Sequence, residues 1–139
     1  HICVPLVSLQ GERGDPMAAS KDDFRLLLKL DEVYRPSVEA RKFSYSDRLA
    51  EVVEAGSFFD TYALDSDERF WVNELATYYE ILATAWQEEI VDRSLALEWA
   101  GAVFTWKLIG PILIQAREVF GSDRLWTGFE ALAKAQAEL

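Results

Sequence analysis

The sequence predicts an all-α, single-domain bundle of five to six helices. Apolar residues recur at three- and four-residue steps through most of the chain, as on one face of a helix. The connections between these segments are short, and no stretch shows the alternation of a half-buried strand. At 139 residues, half of them hydrophobic, the chain suits one domain with its own core. We expect this domain to span residues 17–139.

Residues 1–16 stand apart from this pattern. Met17 resembles a natural start, so we expect residues 1–16 to be an N-terminal extension or a cloning remnant, mostly loop. The single cysteine, Cys3, has no internal disulfide partner, which favours a reducing compartment. No apolar run approaches the roughly 20 residues that span a bilayer. We therefore expect a cytoplasmic protein without a membrane span.

The first helices are predicted from their end signals. Ser20 and Asp23 have capping-box spacing, so a helix should begin after Ser20. Pro36 should end it, because proline lacks an N–H and restricts the preceding residue. A second helical region is predicted over residues 38–55, with Gly56 as its stop. An aromatic connector follows, made of Phe58, Phe59, Tyr62 and Leu64.

A long antiparallel helical hairpin is predicted at about residues 66–120. Asp65 and Glu68 have capping-box spacing at the start of its first arm. The apolar stripe of that arm consists of Trp71, Leu75, Tyr78, Tyr79, Leu82 and Trp86. These residues recur at helical steps, so this is the clearest helix in the chain.

The second arm should begin at Asp92, a favourable N-cap. The pair Gly110–Pro111 is expected to kink or interrupt it, because proline clashes with the preceding turn. Gly121 should end the arm, and a last helix should begin at Ser122 or Asp123.

The net charge of −10 is concentrated in the middle of the chain. Residues 43–100 hold thirteen acids and three bases, whereas acids and bases balance on either side. Such a field repels phosphate backbones, so direct nucleic-acid binding is not expected. It would attract a basic protein surface. The alternative is a solvated face that only aids solubility.

No recognisable catalytic machinery is present. The only histidine is His1, and Cys3 lacks an evident partner base. Helical carboxylates could converge in the bundle, as di-iron sites require, namely Glu74, Glu80, Glu88, Asp92 and Glu98. Those sites also need helical histidines, and this chain has none in its helices. We expect no enzyme, no metal site and no cofactor.

Three aromatic residues are candidates for interaction with a partner: Phe58, Phe59 and Trp126. Aromatic side chains dominate interface hot spots as well as cores, so the alternative is that they fill the core.

A polar pair and a pocket are further candidates. Glu80 and Arg117 could form a buried ion pair between helices, or both could be exposed. Tyr79, Trp99 and Trp106 could line a small-molecule pocket, with Glu80 as its carboxylate.

Three motifs carry a resemblance to a known family. They are FW(x)nYYEILA at residues 70–83, IVD at residues 90–92, and W(x)3GPI(x)4R at residues 106–117. The C-terminal half is similar to a bacterial helical family, the domain of unknown function DUF4760. The resemblance implies a helical domain and brings no activity or catalytic residue. Many of its members resemble membrane-tethered proteins with a preceding transmembrane helix, and no such helix is seen in this sequence.

These observations favour a non-catalytic protein-interaction module that acts through a protein partner or as a homo-oligomer. One alternative is an acidic decoy or inhibitor of a nucleic-acid-handling enzyme, which the charge of residues 43–100 suggests. The other is a small-ligand-binding helical bundle.

Overall fold

The computed structural model describes residues 19–139, and all regular structure in this part of the chain is α-helical. The helices are α1 (Lys21–Tyr34), α2 (Val38–Ser44), α3 (Asp47–Ala55), α4 (Phe58–Thr61), α5 (Asp67–Gln87), α6 (Arg93–Trp99), α7 (Ala102–Val119) and α8 (Thr127–Ala137). The predicted all-α single domain is therefore confirmed. The predictions for residues 1–16, His1 and Cys3 lie outside the described residues.

The N-terminal helices begin where hydroxyl caps occur. The Ser20 hydroxyl accepts a hydrogen bond from the Asp23 amide at 3.2 Å, and the Asp23 carboxylate accepts one from the Ser20 amide at 2.9 Å, which confirms the capping box. The predicted helical region 38–55 is two helices. Ser46 divides it, because its hydroxyl accepts a hydrogen bond from the Leu49 amide and caps α3.

Helix α5 begins one residue later than the acidic pair suggested. Its N-cap is Ser66, whose hydroxyl accepts a hydrogen bond from the Arg69 amide at 3.2 Å. Asp65, the predicted cap, lies outside the helix. Glu68, the other half of the predicted capping box, instead forms an ion pair with Arg48 of α3 at 3.1 Å.

The predicted second arm is two helices joined at Ala100 and Gly101, with a bend of 66° between them. Of the two outcomes predicted at Gly110–Pro111, a kink or an interruption, the interruption is wrong, since α7 is one continuous helix through both residues. Pro111 lies on the exposed face, where the backbone carbonyl that loses its donor can be hydrated. Asp92 does cap α6, and its carboxylate accepts a hydrogen bond from the Leu95 amide.

Helix α8 begins at Thr127, so the predicted start at Ser122 or Asp123 is wrong. Residues 122–126 form a turn instead, and Trp126 has a left-handed backbone with φ 61°. Helix α8 packs against both α5 and α7 and thereby joins the arms of the predicted hairpin. The largest fully buried side chains of the core are Phe58, Phe129, Leu27, Leu49, Leu82, Ile109, Ile112 and Leu132.

Within residues 19–139, no helix has by itself both the length and the apolar composition needed to cross a membrane. The pair Arg93–Trp99 and Ala102–Val119 satisfies that test only when its two bent members are joined.

Candidate functional site

The main candidate site is an apolar groove of about 370 Å³, hereafter the aromatic groove. It lies between α4, the first turns of α5, the second half of α7 and the turn before α8. Its apolar lining consists of Phe58, Phe59, Leu64, Phe70, Val72, Ile112, Leu113, Ala116, Phe120 and Trp126. The three predicted interaction residues therefore meet at one site, although they are distant in sequence.

The predicted residues have different roles in the aromatic groove. Phe58 is only 1% exposed and packs edge-on against Phe59 at 5.2 Å, so it forms the floor. Of its two predicted roles, Phe58 has the core-filling one rather than the exposed interaction role, because the single helical turn of α4 points it into the core. Phe59 is half-buried and contacts Phe120 edge-on at 5.9 Å across the groove. Trp126 is also half-buried and lines the groove from the turn before α8.

The rim of the aromatic groove is apolar and exposed. Leu64, Phe70 and Phe120 are 77%, 61% and 55% exposed. Phe70 faces solvent because its neighbour Trp71 turns inward and packs on Phe43, with ring centroids 5.5 Å apart. Sequence reasoning missed Phe70, Phe120 and their common groove, because only the tertiary packing of α5 against α7 brings them together. Clustered exposed apolar residues of this kind mark interaction surfaces.

The charge beside the aromatic groove is acidic. Asp60, Asp65 and Asp67 are exposed, and none of them takes part in an ion pair among the described residues. The adjacent base, Arg69, is turned inward. Its guanidinium donates hydrogen bonds to the backbone oxygens of Phe59 and Tyr62 and lies over the Phe59 ring, 4.6 Å from the centroid. Arg69 thus holds α4 against α5, and Asp65 is the carboxylate among the residues that line the groove.

Glu80 and Arg117, the predicted buried pair, have separate partners. The Glu80 carboxylate accepts a hydrogen bond from the Phe129 amide at 2.8 Å. Arg117 donates to the Leu125 backbone oxygen at 2.8 Å and pairs with Glu130 at 2.9 Å. The pairing of Glu80 with Arg117 was therefore wrong. Both residues instead hold the first turn of α8 and the turn that precedes it.

The hydrogen bond from Arg117 is the main reason why the pKa of Glu130 lies below its usual range, and burial partly opposes this shift. Because Arg117 also binds the backbone just before Trp126, this pair fixes one wall of the aromatic groove.

A second cavity of about 300 Å³, hereafter the polar pocket, lies between α1, α2, α5 and the α6–α7 bend. Tyr79 and Trp99 line it, as the sequence suggested. Trp106 does not, because its indole packs edge-on against Phe129 at 5.0 Å and lies across Gly110. The carboxylate of the polar pocket is Asp31 rather than the predicted Glu80.

Asp31 is held by two buried side chains. Its Oδ1 accepts hydrogen bonds from the Tyr78 hydroxyl and from the Trp99 indole N–H, the latter at 3.1 Å. Burial, and then the hydrogen bond to Asp31, raise the pKa of Tyr78 far above its usual value. Burial is also the main reason why the pKa of Tyr79 is raised. Both tyrosines are therefore neutral hydroxyl groups at physiological pH.

The helical carboxylates do not converge. Glu74 accepts a hydrogen bond from the Ser37 hydroxyl at 2.9 Å, whereas Glu80 and Asp92 bind backbone amides at other helix ends. In the part of the chain that the structure describes, no group of three or more histidine, cysteine, aspartate or glutamate residues could hold a metal ion.

Comparison with known protein families identifies the family of this chain. The model of a family described as a domain of unknown function, DUF4760, matches residues 28–136, which is most of the chain rather than its C-terminal half alone. No curated protein and no solved structure matches the chain.

Proposed function

Because the chain belongs to DUF4760, a domain of unknown function, we propose its function from its geometry. We infer that it is a non-catalytic interaction module. Its aromatic groove binds an apolar segment of another protein, and basic residues flank that segment.

The observation that carries this proposal is the exposed aromatic rim around a preformed groove. A volume of about 370 Å³ suits one or two large anchor side chains from a partner helix or turn. Phe70, Phe120 and Leu64 would lose their contact with water when the anchor is seated, which supplies the hydrophobic driving force. The floor at Phe58 is already packed, so the groove needs little rearrangement to accept its partner.

The acidic rim determines which partner is favoured. A symmetric dimer through this groove would bring two copies of Asp65 into one interface, and like charges disfavour that arrangement. A segment with lysine or arginine on both sides of its apolar anchor complements Asp60, Asp65 and Asp67. A different protein with basic flanks is therefore favoured over a second copy. The decoy alternative would depend on the acidic charge alone and would need no groove.

Two labelled helical peptides of about four turns test the proposal. Both carry a leucine and tryptophan stripe; one has lysine on its remaining faces and the other has glutamate. Fluorescence anisotropy measures their binding to the protein at low salt and at high salt. We expect the lysine peptide to bind and the glutamate peptide to bind at least about tenfold more weakly. Added salt should weaken lysine-peptide binding only in part, because the apolar contact is not screened.

Phe70→Ala and Phe104→Ala form a matched pair of variants. The two side chains are similarly exposed, Phe70 at 61% and Phe104 at 70%. Phe104, however, lies outside the aromatic groove. Phe70→Ala should weaken binding of the lysine peptide about tenfold or more, and Phe104→Ala should leave the affinity for this peptide unchanged. Equal effects of the two variants, or absence of any peptide binding, would contradict the proposal. Self-association that Phe70→Ala abolishes would replace the basic partner with a second copy.

A further inference from the structure

We propose that the polar pocket is a binding site for a free α-amino acid. Asp31 receives its ammonium group and Arg35 its carboxylate. This site is separate from the aromatic groove, because no residue lines both cavities. The inference therefore does not depend on the proposed protein-binding function.

The first argument is the way in which Asp31 is held. Tyr78 and Trp99 both donate to Oδ1, and no described residue donates a hydrogen bond to Oδ2. Tyr78 and Trp99 are themselves buried, so the carboxylate has a defined orientation. A half-buried carboxylate with one oxygen fixed and the other uncommitted is prepared to bind a cation.

The second argument is the spacing of Asp31 and Arg35. They lie four residues apart at the end of α1, and the Arg35 amide donates to the Asp31 backbone oxygen at 3.0 Å. This places their Cβ atoms about 5–6 Å apart, where opposite charges usually pair. Among the described residues, however, they form no ion pair. Both side chains line the polar pocket, so their opposite charges border the same space, and an α-amino acid carries the complementary charges.

The third argument is the lining of the rest of the polar pocket. Tyr45 and Tyr79 provide aromatic surface, which favours an ammonium group through cation–π attraction. Arg41 supplies a second guanidinium for the carboxylate. The Thr105 hydroxyl donates to the Tyr79 hydroxyl at 3.3 Å. A volume of about 300 Å³ accommodates an amino acid with its side chain.

Isothermal titration calorimetry with the L-amino acids tests this site. Each amino acid that binds is then compared with its N-acetyl derivative, which lacks the ammonium charge, and with its amide, which lacks the carboxylate. We expect at least one amino acid to bind and both derivatives to bind about tenfold or more weakly, because each loses a charge-assisted hydrogen bond. Absence of binding up to about 10 mM would overturn the proposal. Equal binding of a derivative would also overturn it.

Asp31→Asn and Arg35→Gln should each weaken amino-acid binding about tenfold or more. Asp22→Asn is the matched control, because Asp22 is an exposed acid of the same helix that lines neither cavity. Arg35 is exposed at a helix end, so its variant decides the question if Asp31→Asn fails to fold. The NMR signal of the Trp99 indole N–H, assigned with Trp99→Phe, should shift on binding, because it bonds to the same carboxylate. An unmoved Trp99 signal at saturation would place the ligand elsewhere. Asp31→Asn and Arg35→Gln should not change peptide binding at the aromatic groove, so the two proposals can fail independently.

Discussion

Gly128→Ala should destabilise this protein, because it overfills the contact between α5 and α8. A Cβ atom at this position would lie 2.7 Å from Oε2 of Glu80 and 3.2 Å from Cβ of Ala83. Gly128 is in the first turn of α8, directly before Phe129, whose amide donates to the other oxygen of the same carboxylate at 2.8 Å. The added methyl group must therefore displace Glu80 and strain the contact between α5 and α8.

The magnitude follows from three contributions. Loss of a hydrogen bond to a charged acceptor costs about 1.5–3 kcal/mol. Overpacking against Ala83, a fully buried residue, adds about 1–3 kcal/mol. Alanine gains up to about 1 kcal/mol over glycine in a helix, which offsets part of this loss. The free energy of unfolding should fall by about 1.5–5 kcal/mol in total.

Urea denaturation, followed by circular dichroism, measures this change. Gly101→Ala is the control without a clash, since a Cβ there meets nothing within 4 Å. Gly101 is the N-cap of α7, where glycine is preferred to alanine, so this control should lower the free energy of unfolding by at most about 1 kcal/mol. In a Glu80→Ala background the clash with the carboxylate is absent. There, Gly128→Ala should lower the free energy of unfolding by at least about 1.5 kcal/mol less than it does in the unchanged sequence. Additive effects of the two substitutions, within about 0.5 kcal/mol, would refute this account of the contact.

Three further predictions concern stability. Pro111→Ala should raise the free energy of unfolding by about 1–3 kcal/mol, because it restores a helical hydrogen bond on an exposed face; a loss in urea denaturation would contradict this. Ser66→Ala should lower the free energy of unfolding by about 0.5–2 kcal/mol, and Asp65→Ala by less than about 0.5 kcal/mol. If thermal denaturation gave the reverse order, Asp65 and not Ser66 would be the N-cap. Because Arg117 lowers the pKa of Glu130, the stabilising contribution of Glu130 is complete above the unfolded pKa of about 4.3 and is lost as the pH falls through the folded value. Glu130→Gln should therefore flatten the loss of stability below about pH 5 in urea denaturation at a series of pH values, and an unchanged pH profile would exclude this role.

The features that the sequence predicted correctly depend on neighbouring residues. Ser20 and Asp92 cap helices through bonds to amides three residues away, so their signal is complete within one turn. Pro36 likewise ends α1 by its own chemistry. The same local signals wrongly predicted Asp65 as the N-cap instead of Ser66. Both residues suit an N-cap, and only the folded backbone distinguishes them.

The features that were missed depend on distant contacts. The break at Ala100 and Gly101 has no proline, and it forms where Gln136 of α8 can bind the freed backbone groups. No residue near Asp31 in the sequence marks its role, since its partners Tyr78 and Trp99 lie 47 and 68 residues away. The sequence predicted Phe58, Phe59 and Trp126 as separate candidates and did not predict the groove they line. The periodicity of aromatic residues does not distinguish a residue in a groove wall, such as Trp126, from a core residue.

The side chain of Gln136 gives the bend between α6 and α7 a consequence for cooperativity. Its amide donates to the backbone oxygens of Leu97 and Ala100, at 2.9 and 2.6 Å, and accepts from the Val103 amide at 3.1 Å. One residue in the last turn of α8 therefore satisfies backbone groups on both sides of a break more than 30 residues earlier. Fraying of that turn would open the break as well, so both segments belong to one unit of local unfolding. Amide hydrogens in the two segments would then exchange with solvent through the same opening event.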